Sequence, residues 1–226
     1  MKTWLALLTL AALPQDKSFD SPVGLLAQDK KDPAFAPVAD DPKLLRVLLI
    51  GDSISIGYTL PVRKLLEGKA NVHRIPENGG PTSNGAAKID KWLGDSKWDV
   101  IHVNWGLHDL KLVDGKHQVP LEEYEKHLRG LVKKLKATGA KIVWASTTPV
   151  PAGKTSPPRQ AEDVPRYNEV AKKVMDENGV AIDDLYAFAL PKLKEIQLPA
   201  NVHYSAKGYE ALAGEVAKSI QAALTK

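Results

Sequence analysis

There is no cysteine anywhere in the 226 residues. That excludes a disulfide framework, a thiol nucleophile and any metal site built on thiolates. Long apolar runs are lacking too. The most continuous one goes from Trp4 to Leu13, well short of the roughly 20 residues that a membrane-spanning helix needs. Charge of one sign is not concentrated: the formal net charge is only +4, and Lys and Arg are scattered along the chain. A nucleic-acid-binding surface would need a basic stripe or patch, so nucleic acid is not expected as a partner. There is no internal repeat, which excludes solenoids and propellers.

What is present suits one globular domain. Hydrophobic residues make up 43% and charged residues 26% of the chain, proportions that allow a full core. Lys2 followed by the apolar stretch Trp4–Leu13 fits the basic and hydrophobic regions of a secretory signal. Residues 1–27 are therefore expected to be a signal peptide, with Leu25-Leu26-Ala27 before Gln28 as its end. The mature chain is expected to lack an integral membrane segment and to be secreted or periplasmic. Residues 28–43, with Pro33, Pro37 and Pro42, read as a linker or extended arm. Residues 44–226 read as the domain.

Within that domain, strand and helix signals alternate. Leu45–Ile50, Asn71–Ile75, Asp99–Asn104, Lys141–Thr147 and Val180–Ile182 read as strands. Helices are expected over Leu60–Leu66, Ala86–Leu93, Leu121–Leu135 and Pro165–Glu177, and from Ser205 onward. Leu121–Leu135 is the clearest, because Leu121, Tyr124, Leu128, Leu131, Val132 and Leu135 recur at helical spacing and Gly139 follows. Residues 76–85 and 148–164 read as loops, and 183–202 as helix and loop. Such alternation implies parallel βαβ units. The expected fold is a three-layer α/β/α sandwich on a mainly parallel five-stranded sheet.

In an open parallel sheet, ligands bind outside the carboxyl ends of the strands. Four segments are brought to that edge. Gly51-Asp52-Ser53 follows the first strand and Gly79-Gly80-Pro81-Thr82 the second. Asn104-Trp105-Gly106-Leu107-His108-Asp109 follows the third, and Asn201-Val202-His203-Tyr204-Ser205 opens the last helix. A serine hydroxyl needs an imidazole within reach to become a nucleophile. Ser53 and His203 fill those roles. Gly80 offers a backbone N–H unobstructed by a side chain, and a ring N–H of His108 offers a second donor for an oxyanion. Asp52 and Asp109 read as caps of backbone N–H groups. A metal site from His102, His108, Asp109 and His203 is disfavoured, because His102 and His108 fit no usual ligand spacing and strand alternation points His102 into the helix layer; no metal or cofactor is expected. Lys154 and Arg159 lie in the 150–164 loop, which is placed to cover the crevice.

These segments resemble, in order, the conserved blocks of the GDSL, or SGNH, hydrolases. Gly51-Asp52-Ser53-Ile54 is similar to their first block. Asn78-Gly79-Gly80-Pro81-Thr82 is similar to the second, whose glycine gives an oxyanion N–H. Gly106-Leu107-His108-Asp109 resembles the third, and Val202-His203-Tyr204-Ser205 with Gly208-Tyr209 the last. The Gly-x-Ser-x-Gly elbow of α/β-hydrolases is absent, because Ser55 stands at its final position. The resemblance implies a flavodoxin-like SGNH fold and ester hydrolysis through an acyl-serine, with Ser53, His203, Gly80 and His108 as site residues. A small-molecule or carbohydrate ester, such as an acetylated sugar, is the implied substrate.

Two departures from the family pattern bear on activity. His108 replaces an asparagine of the third block, and Ala200 stands where an aspartate usually precedes the histidine by three residues. A backbone carbonyl or a distant acid is then left to orient His203, with Asp183 and Asp184 as candidates. The departures leave an inactive ligand- or glycan-binding protein as an alternative to the esterase, and an acyltransferase using the same residues is a third reading.

Overall fold

The structure is a computed structural model and describes residues 32–225. The expected signal peptide and the first residues of the arm lie outside the described residues. The strands are β1 (Leu45–Ile50), β2 (Ala70–Arg74), β3 (Val100–Val103), β4 (Leu112–Val113), β5 (Lys116–His117), β6 (Lys141–Ala145) and β7 (Ala181–Asp183). The helices are α1 (Ser53–Leu65), α2 (Thr82–Leu93), α3 (Leu121–Ala137), α4 (Asp163–Glu177), α5 (Leu185–Ala189), α6 (Leu193–Ile196) and α7 (Ala206–Leu224). Five strands form one all-parallel sheet in the order β2-β1-β3-β6-β7. The α/β sandwich expected from the alternation is thus the fold observed.

The sheet is central because its middle strands are apolar on both faces. Val47, Leu48, Leu49 and Ile50 of β1 and all of β3 are buried, as a strand covered by helices on two sides requires. Helices α1 and α7 pack together on one face, while α2, α3 and α4 adjoin in series on the other. The chain leaves β1 in one direction along the sheet to β2 and returns past it to β3. Between β1 and β3 the strand order reverses, and that reversal opens a crevice at the carboxyl ends.

Several boundaries differ from the sequence-based expectation. Helix α1 begins at Ser53 rather than Leu60 and takes Pro61 into its interior. Asp52 starts it early by accepting the Ile54 N–H on its carboxylate at 2.9 Å. The bond that Pro61 cannot make is the one to the Gly57 carbonyl. Helix α2 begins at Thr82 rather than Ala86. The antiparallel β4–β5 hairpin was not expected; it turns on Asp114 and Gly115, both at positive φ, the dipeptide that tight hairpins favour. The described part of the arm is docked on the domain. Ala34 packs with Ile56. Asp40 bridges Arg46 at 2.8 Å and His73 at 2.6 Å, and Asp41 exchanges hydrogen bonds with Asn71. Among the described residues no helix is long and apolar enough to cross a membrane.

Gly57 sets how closely α1 and α7 approach. A Cβ there would lie 2.2 Å from the Tyr209 ring, which is itself buried. Alanine would normally favour a helix over glycine by about 1 kcal/mol. Here the overpacking, typically about 1–3 kcal/mol, is the larger effect. Gly57→Ala is therefore expected to lower the denaturation midpoint in urea, without changing its slope.

Candidate active site

The Gly-Asp-Ser turn after β1 puts Ser53 at the first position of α1. Its N–H has no partner among the described residues, as expected of a helix's first turn. Ser53 Oγ lies 2.9 Å from His203 Nε2, although 150 positions separate the two in the chain. His203 comes from the segment before α7, which Ser205 caps by accepting the Gly208 N–H at 3.1 Å.

The other ring nitrogen of His203 settles what replaces the missing aspartate. Nδ1 lies 2.7 Å from Asn201 Oδ1, which also accepts the His203 backbone N–H at 3.0 Å. A backbone N–H can only donate, so the atom facing it is the amide oxygen. Nδ1 must then carry a proton, leaving the Nε2 lone pair to face the Ser53 hydroxyl. The orienting group is thus the side chain of Asn201, in an Asx turn that doubles as a histidine clamp. Ala200 sits at φ 50° just before it, in the left-handed region that turns Asn201 toward the ring.

Neither acid named as a candidate orienter is there. Asp183 pairs with His102 at 3.0 Å and accepts from Ser219 at 3.2 Å. Asp184 accepts the Ala187 N–H of α5 and the Ser146 hydroxyl. Sequence reasoning missed Asn201 because it looked for a carboxylate at position 200. The available signal was an asparagine two residues before a histidine, the spacing of an Asx turn.

His108 is at the same edge with a defined tautomer. Its Nδ1 lies 2.9 Å from Lys111 Nζ. An ammonium can only donate, so Nδ1 accepts and the proton resides on Nε2, which has no partner among the described residues. Burial, followed by the charges of Lys111, Arg159 and His203, pushes the His108 pKa down to about 3. The imidazole is therefore neutral at ordinary pH and presents one N–H. His203 is also held below its ordinary value, by burial and then by Arg159.

Gly80 is positioned differently from expectation. It has a φ of 61° and lies after β2, but its N–H is bonded to Asn78 Oδ1 at 2.9 Å. Asp52 and Asp109 hold loops. Asp52 caps α1 from a fully buried position, where burial raises its pKa. Asp109 accepts the Thr82 N–H at 2.9 Å and also the Thr82 hydroxyl, joining the loop after β3 to the start of α2. Arg159, from the loop after β6, is buried and donates from Nε to the Leu107 carbonyl at 2.8 Å. Lys154 is exposed. His102 is fully buried in β3 and faces Asp183 of β7. No group of three His, Asp or Glu side chains able to hold a metal occurs among the described residues.

A hydroxyl beside an imidazole of fixed tautomer, an amide that orients the ring and free N–H donors form an arrangement that could carry out acyl transfer. The model of the GDSL-like lipase/acylhydrolase family matches residues 49–211. The chain belongs to that family. It is an ester-hydrolysing enzyme of the GDSL type. No match was found among curated proteins. Among solved structures, a lipase/acylhydrolase from Enterococcus faecalis has a TM-score of 0.68 at 20% identity, over 79% of this chain and 96% of that one. An acetyl xylan esterase, AlAXEase, has a TM-score of 0.67 at 17% identity, over 78% and 100%. An acetylxylan esterase from Geobacillus stearothermophilus has a TM-score of 0.65 at 22% identity, over 78% and 94%. At these identities the likeness is one of fold.

Proposed function

We propose that this GDSL-type enzyme is an exported serine esterase that removes small acyl groups from carbohydrate esters. Ser53 is the nucleophile, His203 the base and Asn201 the group that orients the base. The carrying observation is the chain of contacts from Ser53 Oγ to His203 Nε2 and from His203 Nδ1 to Asn201 Oδ1. The acetyl xylan esterases among the structural neighbours support an acetylated sugar as the substrate class. The basic and apolar residues near the N-terminus support export.

In this mechanism Ser53 Oγ attacks the ester carbonyl while its proton passes to His203 Nε2. The tetrahedral oxyanion is met by the Ser53 N–H at the positive end of α1. His108 Nε2–H is the second donor, in the role that an asparagine fills in the family pattern. Because His108 is neutral, it does not add a full positive charge beside the imidazolium that forms on His203. The Gly80 N–H joins as a third donor when the half-buried Asn78 amide gives it up to the substrate oxygen. His203 then protonates the departing alcohol. Water repeats the sequence on the acyl-serine and releases the acid.

The inactive-binding reading rests on the missing aspartate and on His108 in place of an asparagine; the contact from His203 to Asn201 and the neutral His108 N–H support the esterase reading instead. The deciding experiment is incubation with a fluorophosphonate, followed by peptide mass mapping. A single adduct on Ser53 is the expected result, competed by p-nitrophenyl acetate. An unlabelled Ser53 in folded protein would overturn the esterase assignment. Acetic acid, with no acetyl transfer to an added sugar, separates hydrolase from acyltransferase.

A further inference from the structure

Two cations flank the candidate active site without a carboxylate in direct contact, although Asp52 acts on both through space and Asp109 on Lys111. Lys111 Nζ donates to His108 Nδ1, and Arg159 donates from Nε to Leu107 and from Nη1 to Pro157. Neither takes part in an ion pair among the described residues, whereas Arg46, Lys88 and Arg129 each meet a carboxylate. Arg159 is only 7% exposed. The carboxyls that act on them, Asp52 and Asp109, are fully buried and accept the Ile54 and Thr82 N–H groups on one oxygen each, and neither reaches Lys111 or Arg159 with the other. Burying a cation unpaired is costly, and two together repel. Both are anchored on the loop after β3 that carries the His108 donor: Lys111 holds the His108 ring, and Arg159 holds the carbonyl of Leu107 beside it. Burial first, and then these charges, hold the His108 and His203 pKa values down.

An arginine with only two of its donor nitrogens engaged keeps a free N–H edge. That edge suits a carboxylate, sulfate or phosphate oxygen. The Lys111 ammonium also retains protons beyond the one given to His108. Resting on the esterase reading above, we propose that Arg159 and Lys111 form an anion subsite beside Ser53, so that the preferred ester carries an anionic group on its acyl or its alcohol part. A sugar ester bearing a carboxylate, or a half-ester of a dicarboxylic acid, has that chemistry.

The test uses two matched pairs of esters. Mono-p-nitrophenyl fumarate against p-nitrophenyl crotonate places or removes a carboxylate on the acyl side. Potassium 4-acetoxybenzoate against 4-acetoxybenzamide does so on the alcohol side. The readout is the ratio of kcat/KM, anionic to neutral, in the wild type, Arg159→Gln and Lys111→Met. In at least one pair this ratio is expected to fall about tenfold in each variant, the size of one charge-assisted hydrogen bond. In the wild type it is also expected to fall as salt rises from about 0.02 to about 0.5 M. The pair that responds shows which side of the ester carries the charge. Gln keeps a donor for the Leu107 carbonyl, and thermal melting checks that both variants fold. Ratios that are equal in all three proteins, for both pairs, would overturn the subsite while leaving the esterase standing. If the wild type hydrolyses none of the four, the esterase reading fails instead. The subsite is then judged by whether 4-acetoxybenzoate raises the melting temperature of Ser53→Ala and no longer does so when Arg159→Gln is added; no rise in Ser53→Ala overturns it.

Discussion

Ser53→Ala and His203→Ala are each expected to lower kcat for p-nitrophenyl acetate by roughly 10⁴-fold or more, and the double variant to be no slower than either alone. In the proposed mechanism the two act as one unit. A serine hydroxyl keeps its proton at neutral pH, and the lone pair 2.9 Å away is what removes it during attack. Once either partner is gone, the other has nothing to act with. What survives is the rate supplied by the Ser53 N–H and the other donors alone, roughly 10³-fold over water in comparable triads. Ser53 is a small side chain at the start of a helix whose cap belongs to Asp52, so Ser53→Ala should melt within a degree or two of the wild type. Measured kcat within tenfold of wild type in either variant would remove Ser53 and His203 from the mechanism.

The parts of this site carried by local chemistry could be read from the chain. β1 is legible to the residue because the apolar run Val47–Ile50 ends on a Gly-Asp-Ser turn. Helix α3 was legible because its apolar stripe has the helical period; the structure extends it only to Ala137. The start of α1 is not, because Pro61 reads as a first-turn residue and so puts the start near Leu60, although Asp52 already reads as a cap. The interior proline hides the seven helical residues Ser53–Thr59. His108 was named as a donor, but its tautomer depends on Lys111. Arg159 reaches Leu107 from across 52 positions, inside a proline-rich stretch with no period to read. Gly80 was placed correctly after β2, yet the competition for its N–H comes from Asn78, two residues before it. In each miss the deciding contact is tertiary or a side-chain turn, and neither leaves a pattern in hydrophobicity.

Asn201 makes the sharpest test of the site, because an amide can orient a histidine but cannot neutralise it. Asn201→Ala removes the acceptor for Nδ1–H and for the His203 backbone N–H together. The ring is then free to rotate or to move its proton to Nε2, where it can no longer accept from Ser53. A loss of roughly 10²–10³-fold in kcat is expected, below the roughly 10⁴ seen when a triad aspartate is replaced by an amide that forces the wrong tautomer. Asn201→Asp keeps both acceptors and adds a charge. A carboxylate beside an imidazole favours the protonated ring, so the variant should stabilise the imidazolium of the transition state and raise the plateau kcat by about tenfold, one unit of pKa. The pH dependence gives the sign independently. His203 must be neutral to accept the proton, and burial with Arg159 holds it below its ordinary value of 6.5. The acid limb of kcat/KM in the wild type should therefore have its midpoint below pH 6.5. In Asn201→Asp the midpoint should move upward, so that the variant outpaces the wild type at pH 8 and loses that lead as the pH falls. An acid limb that stays in place in Asn201→Asp would show that position 201 does not control the histidine, whatever happens to the plateau.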